Sequence, residues 1–212
     1  MFAPFDSIRI VNLPERTDRR RDMERELAAV GLGGDPRVAF FPAIRPADAG
    51  DFTSIGAHGV YLSQHAILRE AAAAGRSVLI LEDDCDFTAA ARDADFGEGW
   101  DIFYGGYYAK EPDNLLASDI IGAHMMGFSA RGARLVCAYL DGLRYEGVHP
   151  PIDAAYIWFR RAHPDVPTRF AIPPLGVQRA SRSDIAVPRF YDRMPVLAPL
   201  ATLARRALRA LR

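Results

Sequence analysis

The sequence predicts an α/β layered domain. Strand-like and helix-like stretches alternate along 212 residues, and the best strand, Ser77 to Leu81, is apolar on both faces. No repeat, low-complexity tract or linker interrupts the alternation. The length suits a sheet covered by helices on both sides.

Each element has a local signature. Ile8 to Leu13 is a β-branched run stopped by Pro14, hence a buried strand. From Thr17, a candidate N-cap, Met23, Leu27 and Val30 recur at helical spacing until Gly31 closes the helix. Val38 to Phe41 forms a second strand. Gly56 to Gly59 is expected to turn, with a helix from Val60 to Ala74 ending at Gly75. Further strands are expected at 101–104, 125–129 and 169–172, and helices at 130–143 and 153–162. The domain is expected to span residues 1–195, with a separate C-terminal helix over 196–212.

Composition narrows the function classes. Half the residues are hydrophobic, a quarter are charged and the formal net charge is -1, so no domain-wide nucleic-acid footprint is indicated. Lys110 is the only lysine. Cys85 and Cys137 lie far apart, in no CxxC pattern, which excludes a sequence-legible zinc finger or disulfide framework and points to a reducing cytosol. No apolar run approaches a transmembrane length, and the N-terminus lacks a signal-peptide pattern. A cytoplasmic protein, peripheral at most, is expected.

Chemistry concentrates where the best strand stops. Leu79-Ile80-Leu81 runs into Glu82-Asp83-Asp84, followed by Asp86. Ligands gather at the carboxyl ends of strands in open α/β sheets. Adjacent carboxylates repel by about a kcal/mol or more per close pair, and a divalent cation relieves that repulsion. Mg²⁺ and Mn²⁺ favour oxygen donors, commonly carboxylates plus substrate phosphates. A solvated acidic turn or a set of helix caps would explain an isolated acidic triplet equally well.

A series of motifs extends beyond this cluster. Ile10 to Arg20 (IVNLPERTDRR), Gly56 to Ser63 (GAHGVYLS), Leu79 to Asp84, Pro151-Ile152-Asp153 and Gln178 to Ile185 fall in order over residues 8–186. In this series the chain resembles glycosyltransferase family 25, which contains lipooligosaccharide and collagen galactosyltransferases. It departs at Gln64, where the family has His, and at Val60, where the family has Cys. The resemblance implies a GT-A fold: one nucleotide-binding domain with an acidic motif ending a central strand.

The same resemblance implies roles for individual residues. Asp84 is the expected metal ligand and Asp86 a second candidate, with Mn²⁺ or Mg²⁺ as the ion. Glu82 and Asp83 are expected near ribose, sugar or bound water. Asn12, Leu13, Arg16, Arg19 and Arg20 are expected against the nucleoside diphosphate of a UDP-sugar, because an arginine fork matches phosphate oxygens. Asp153 is the expected general base for the acceptor hydroxyl, although it also stands where a helix N-cap belongs. Hexose transfer to a glycan or glycolipid follows, with galactose as the donor sugar and inversion of configuration inherited from the family.

Two other functions fit parts of the chain. Asp84-Cys85-Asp86-Phe87-Thr88 also spells the D-x-D-x-T of haloacid dehalogenase-type phosphatases, although that chemistry requires a lysine and a later acidic pair. A non-catalytic sugar-nucleotide or carbohydrate-binding module is the other alternative. In the tail, Leu197, Leu200, Leu208 and Leu211 share one helical face and Arg205, Arg209 and Arg212 another. Such a basic amphipathic helix either lies on an anionic membrane or packs on the domain.

Overall fold

The computed structural model describes residues 2–179. Residues 196–212, where a tail helix is expected, and the Ser183-Asp184-Ile185 part of the closing motif lie outside them. The chain runs β1 (Ser7–Asn12), α1 (Thr17–Ala29), β2 (Val38–Pro42), α2 (Ile55–Ala74), β3 (Val78–Glu82) and β4 (Cys85–Phe87). It continues through β5 (Ile102–Ala109), β6 (Ile120–Phe128), α3 (Ala130–Asp141), α4 (Ile152–Ala162), β7 (Thr168–Phe170) and β8 (Gly176–Gln178). Short 3₁₀ turns cover Ala89–Asp93 and Pro112–Asn114.

Six strands form one mixed sheet in the order β2-β1-β3-β6-β5-β7. β1 is parallel to β2 and β3, β7 is parallel to β5, and only β6 runs against its neighbours. β3 is therefore interior, as its apolar run predicts, but one of its two partners is antiparallel. The period-two alternation of strand side chains divides two apolar layers. Val78 and Ile80 face the layer holding Ile67 and Leu68 of α2, Val136 of α3 and Tyr156 of α4. Leu79 and Leu81 face the other, with Met23 and Leu27 of α1 and Phe103 of β5.

Several boundaries differ from the sequence expectation. Gly56 and Gly59 belong to α2 rather than to a turn before it. Ser54 caps that helix by accepting from the Ala57 amide at 3.0 Å, and Gly75 ends it in the left-handed conformation (φ 61°). Gly59 is required by close approach: a Cβ there would stand 2.5 Å from the Ile44 carbonyl oxygen. Arg16, not Thr17, occupies the N-cap position of α1, without a side-chain cap.

β5 and β6 are longer than expected because the Gly105-Gly106 pair does not break β5. It marks register shifts where Met125 and His124 of the partner strand lie against the glycines. A small antiparallel pair, β4 with β8, was not legible locally. Its pairing of Cys85 with Gln178 joins segments far apart in the chain.

Candidate active site

The acidic triplet forms the corner between β3 and β4. Glu82 is the last residue of β3, Asp83 and Asp84 turn the chain, and β4 leads away. A cleft of about 390 Å³ opens on this corner. Its walls are the end of β1 (Val11, Leu13), the turn into α1 (Glu15, Arg16, Arg19), the β2–α2 loop (Ala43, Ile44, Arg45) and the first turns of α2. Gly56, Gly59 and Val60 supply those turns. The first motif, expected near the donor, and the Gly56–Ser63 motif, for which no such place was expected, thus share a cavity with the carboxylates.

The three carboxylates differ in their surroundings. Asp83 is saturated: Asn12 Nδ2 donates to its Oδ2 at 2.7 Å and Arg19 Nη1 to its Oδ1 at 2.8 Å. It braces β1 and α1 against the corner. Asp84 is 5 % exposed, and its Oδ2 accepts from Gln178 Nε2 at 3.3 Å with Arg19 Nη1 at 3.7 Å. Its Oδ1 is buried and has no hydrogen-bond partner among the described residues. Glu82 accepts from Gln64 Nε2 at 3.2 Å, and Tyr156 donates to Gln64 Oε1 at 2.9 Å. The chain's departure at Gln64 therefore places a buried amide on the first acid of the triplet.

The electrostatics favour a cation. Burial holds the Glu82 carboxyl above its usual range, and the charges of Asp84, Asp153 and Asp83 push it further. Burial also raises Asp84; Arg19 opposes the rise and Asp83 adds to it. A buried anionic oxygen left without a donor costs free energy, and oxygen donors of this kind suit Mg²⁺ or Mn²⁺. The residues present thus fit such an ion, and Asp84 could hold it.

Other candidates are placed differently. Arg16 lines the cleft while forking onto Asp18, with bonds of 3.0 and 2.9 Å. Arg20 is turned away: it pairs with Glu24 at 3.1 Å and lies over the Phe40 ring at 4.4 Å. Asp86 receives Arg179 Nε at 2.8 Å and Nη2 at 2.5 Å, and the same guanidinium reaches Asp22.

Asp153 is near enough to Glu82 to raise its pKa, but it is not the N-cap of α4, a position held by Pro151. Its Oδ2 accepts the Gly122 amide at 2.9 Å, tying α4 to β6. Tyr108 and Ile121 are exposed on the neighbouring strands. His124 lies within β6. Burial holds it down at about 4, and the neutral ring donates from Nε2 to the Gly176 carbonyl at 3.2 Å.

Arg179 is the functional-site neighbour that sequence reasoning missed. Its backbone amide donates to the Asp84 carbonyl at 2.6 Å while its side chain holds Asp86. Its position directly after Gln178 was the only available signal.

Neither a protein-family model nor a curated protein sequence matches the chain. Solved structures do. A glycosyltransferase involved in glycosylation of the major capsid of PBCV-1 superimposes with a TM-score of 0.50 at 12% identity, over 84% of this chain and 94% of that one. The glycosyltransferase GlyE of Streptococcus pneumoniae TIGR4 gives 0.45 at 12% identity, over 95% and 64% of the two chains. The galactosyltransferase LgtC, in complex with donor and acceptor sugar analogs, gives 0.41 at 11% identity, over 78% and 73%. The first match carries the fold assignment, and the chain has a GT-A-type α/β fold.

Proposed function

We propose that this protein is a glycosyltransferase of the family 25 kind, moving a hexose from a UDP-sugar, galactose by that resemblance, to a hydroxyl of a glycan or glycolipid. The observation that carries this reading is the buried Asp84 Oδ1, without a hydrogen-bond partner among the described residues, on a residue that lines a cleft just beyond the end of an interior strand. The GT-A-type fold, shared with the glycosyltransferase involved in glycosylation of the PBCV-1 major capsid, supports the same reaction class.

In this proposal Asp84 would hold Mn²⁺ or Mg²⁺, and the ion would supply Lewis-acid stabilisation for charge on a departing diphosphate. Arg19 holds Asp83, and thereby Asp84, in place from a wall of the same cleft. Arg16 faces the phosphates and exchanges Asp18 for them, while Leu13 and Val11 give the base an apolar wall. Asn12 keeps Asp83 oriented. Arg20 and Asp86, already paired on other sides, do not take part.

Asp153 takes the proton of the acceptor hydroxyl, which approaches along the face bearing Tyr108 and Ile121. Proton abstraction by a positioned carboxylate is general-base catalysis. The basic tail, 196–212, is proposed to bring the enzyme to an anionic membrane carrying a lipid-linked acceptor.

The phosphatase alternative needs Asp86 to exchange a proton with substrate, whereas Asp86 Oδ1 is engaged by Arg179 Nε at 2.8 Å and Nη2 at 2.5 Å. The deciding experiment is release of UDP from UDP-hexoses with and without Mn²⁺, with p-nitrophenyl phosphate as the control substrate. Mn²⁺-dependent UDP release supports transfer. Phosphatase turnover without UDP release refutes it, and nucleotide binding without any turnover identifies a binding module.

A further inference from the structure

On the far side of α2 from the cleft, four side chains meet at the seam with α3. His65 and Arg69 lie one turn apart on α2, and Cys137 and Asp141 one turn apart on α3. His65 Nε2 is 3.0 Å from Asp141 Oδ1, and Cys137 Sγ is 3.7 Å from Asp141 Oδ2. One donor atom from each of His65, Cys137 and Asp141 lies within 4.8 Å of the other two.

We propose that these three residues form a second cation site, selective for a Zn²⁺-class ion and separate from the acidic corner. A tetrahedral ion with bonds of about 2.0 Å to nitrogen and about 2.3 Å to sulfur sets its donors about 3.3–3.8 Å apart. The Cys137–Asp141 separation, to Oδ2, lies inside that range, and the His65–Asp141 separation, to Oδ1, is about 0.3 Å shorter than its lower end. The donor set differs in kind from Glu82-Asp83-Asp84. Imidazole and thiolate favour Zn²⁺, whereas an all-oxygen corner favours Mg²⁺ or Mn²⁺.

The seam already attracts a positive group. Arg69 Nη2 stands 2.6 Å from Asp141 Oδ1 and 3.4 Å from His65 Nε2. Its side chain is 62% exposed, so it can swing into solvent without opening the core. Metal binding then forms a bond to Cys137 Sγ, releases the thiol proton to the buffer and returns the guanidinium to water. No electron is transferred. Water completes the fourth position.

Such an ion staples α2 to α3. α2 carries Gln64, which holds Glu82, and Gly59, which lines the cleft. The staple therefore fixes the helix that forms one wall of the proposed donor site. The proposal does not depend on the reaction assigned to that site.

The full-length protein is titrated with Co²⁺, whose sulfur-to-metal charge-transfer absorption reports thiolate ligation directly. One sulfur-ligated Co²⁺ per chain is expected, displaced by Zn²⁺ and retained in Asp84→Asn. Cys137→Ser should lose the band. Asp141→Asn, at an exposed position, should weaken Co²⁺ about tenfold or more with both thiols intact. Arg69→Ala should tighten binding about tenfold by removing the competing charge. Absence of the band at saturating Co²⁺, or its survival in Cys137→Ser, overturns the site. So does an Arg69→Ala protein that melts earlier with unchanged Co²⁺ affinity, since the four residues would then be only an ion-paired seam.

Discussion

Asp84→Asn separates what the acidic corner costs the fold from what it provides to a ligand. In the metal-free protein the Asp84 carboxyl is held above its usual range by burial, with Arg19 opposing and Asp83 adding to the rise. Each unit of that elevation costs about 1.4 kcal/mol of stability once the pH exceeds both the unfolded and the folded values. Asparagine keeps the volume, retains an oxygen for Gln178 and removes the charge.

In EDTA at pH 8, Asp84→Asn should be more stable than the wild type by about 1–3 kcal/mol. That corresponds to about 2–4 °C in Tm per kcal/mol for a chain of this size. The sign follows from the raised carboxyl: its penalty is absent below the unfolded value, grows between the unfolded and folded values and is constant above the folded one. The gap between variant and wild type should therefore widen from pH 5 to pH 8. Part of the rise at Glu82 comes from the Asp84 charge, so the variant relaxes Glu82 as well, and this adds to the gap with the same sign.

With Mn²⁺ and UDP the order reverses. A ligand at a hundred times its Kd stabilises the wild type by about 2.7 kcal/mol, and the variant should gain little. Differential scanning fluorimetry across this pH range, with EDTA or with Mn²⁺ and UDP, reads both arms. A variant that melts below the wild type in EDTA at pH 8 refutes the electrostatic account. An equal Mn²⁺-UDP shift in both proteins refutes the metal assignment.

Asp153→Asn should keep donor affinity and, with one oxygen still available to the Gly122 amide, keep the fold to within about 1 kcal/mol, while transfer falls about 10²-fold; near-normal turnover would place the base elsewhere. Gly59→Ala should be destabilising by about 1–2 kcal/mol in urea denaturation, because a methyl at 2.5 Å from the Ile44 carbonyl outweighs the gain of about 1 kcal/mol in helix propensity; a stabilised variant would mean that the β2–α2 loop yields freely. Removal of residues 196–212 should leave UDP release intact and weaken sedimentation with phosphatidylserine vesicles, more so at low salt; early melting of the truncated chain would instead show that the leucine face packs on the domain.

The strands and helices that build the sheet were legible because each carries its own local signal. Ser77 to Leu81 is apolar at every position, and an interior strand is the environment that tolerates such a run. The Met23-Leu27-Val30 spacing fixes one buried helical face, and Asp84 stood out because three acids follow an apolar strand without a break. Local signals failed where conformation depends on a distant neighbour. Gly56 and Gly59 read as a turn, yet they are helical, because Gly59 is selected by the Ile44 carbonyl rather than by its own flexibility. Gly105-Gly106 read as a strand end, yet β5 continues past them under Met125 and His124.

The sequence by itself determined that an α/β sheet would end an interior strand in acid, with arginines and a Pro-Pro-Ile-Asp segment available nearby. Only the tertiary structure decided what each carboxylate is free to do. Asp83 is taken up by Asn12 and Arg19, Asp86 by Arg179, and Asp84 alone of the three aspartates keeps a buried oxygen without a partner among the described residues. Likewise, the one-turn pairs His65/Arg69 and Cys137/Asp141 can be read on each helix, but not that they face each other. Partnership between residues dozens of positions apart is set by how helices pack on the sheet, and that packing has no signature within a local window of sequence.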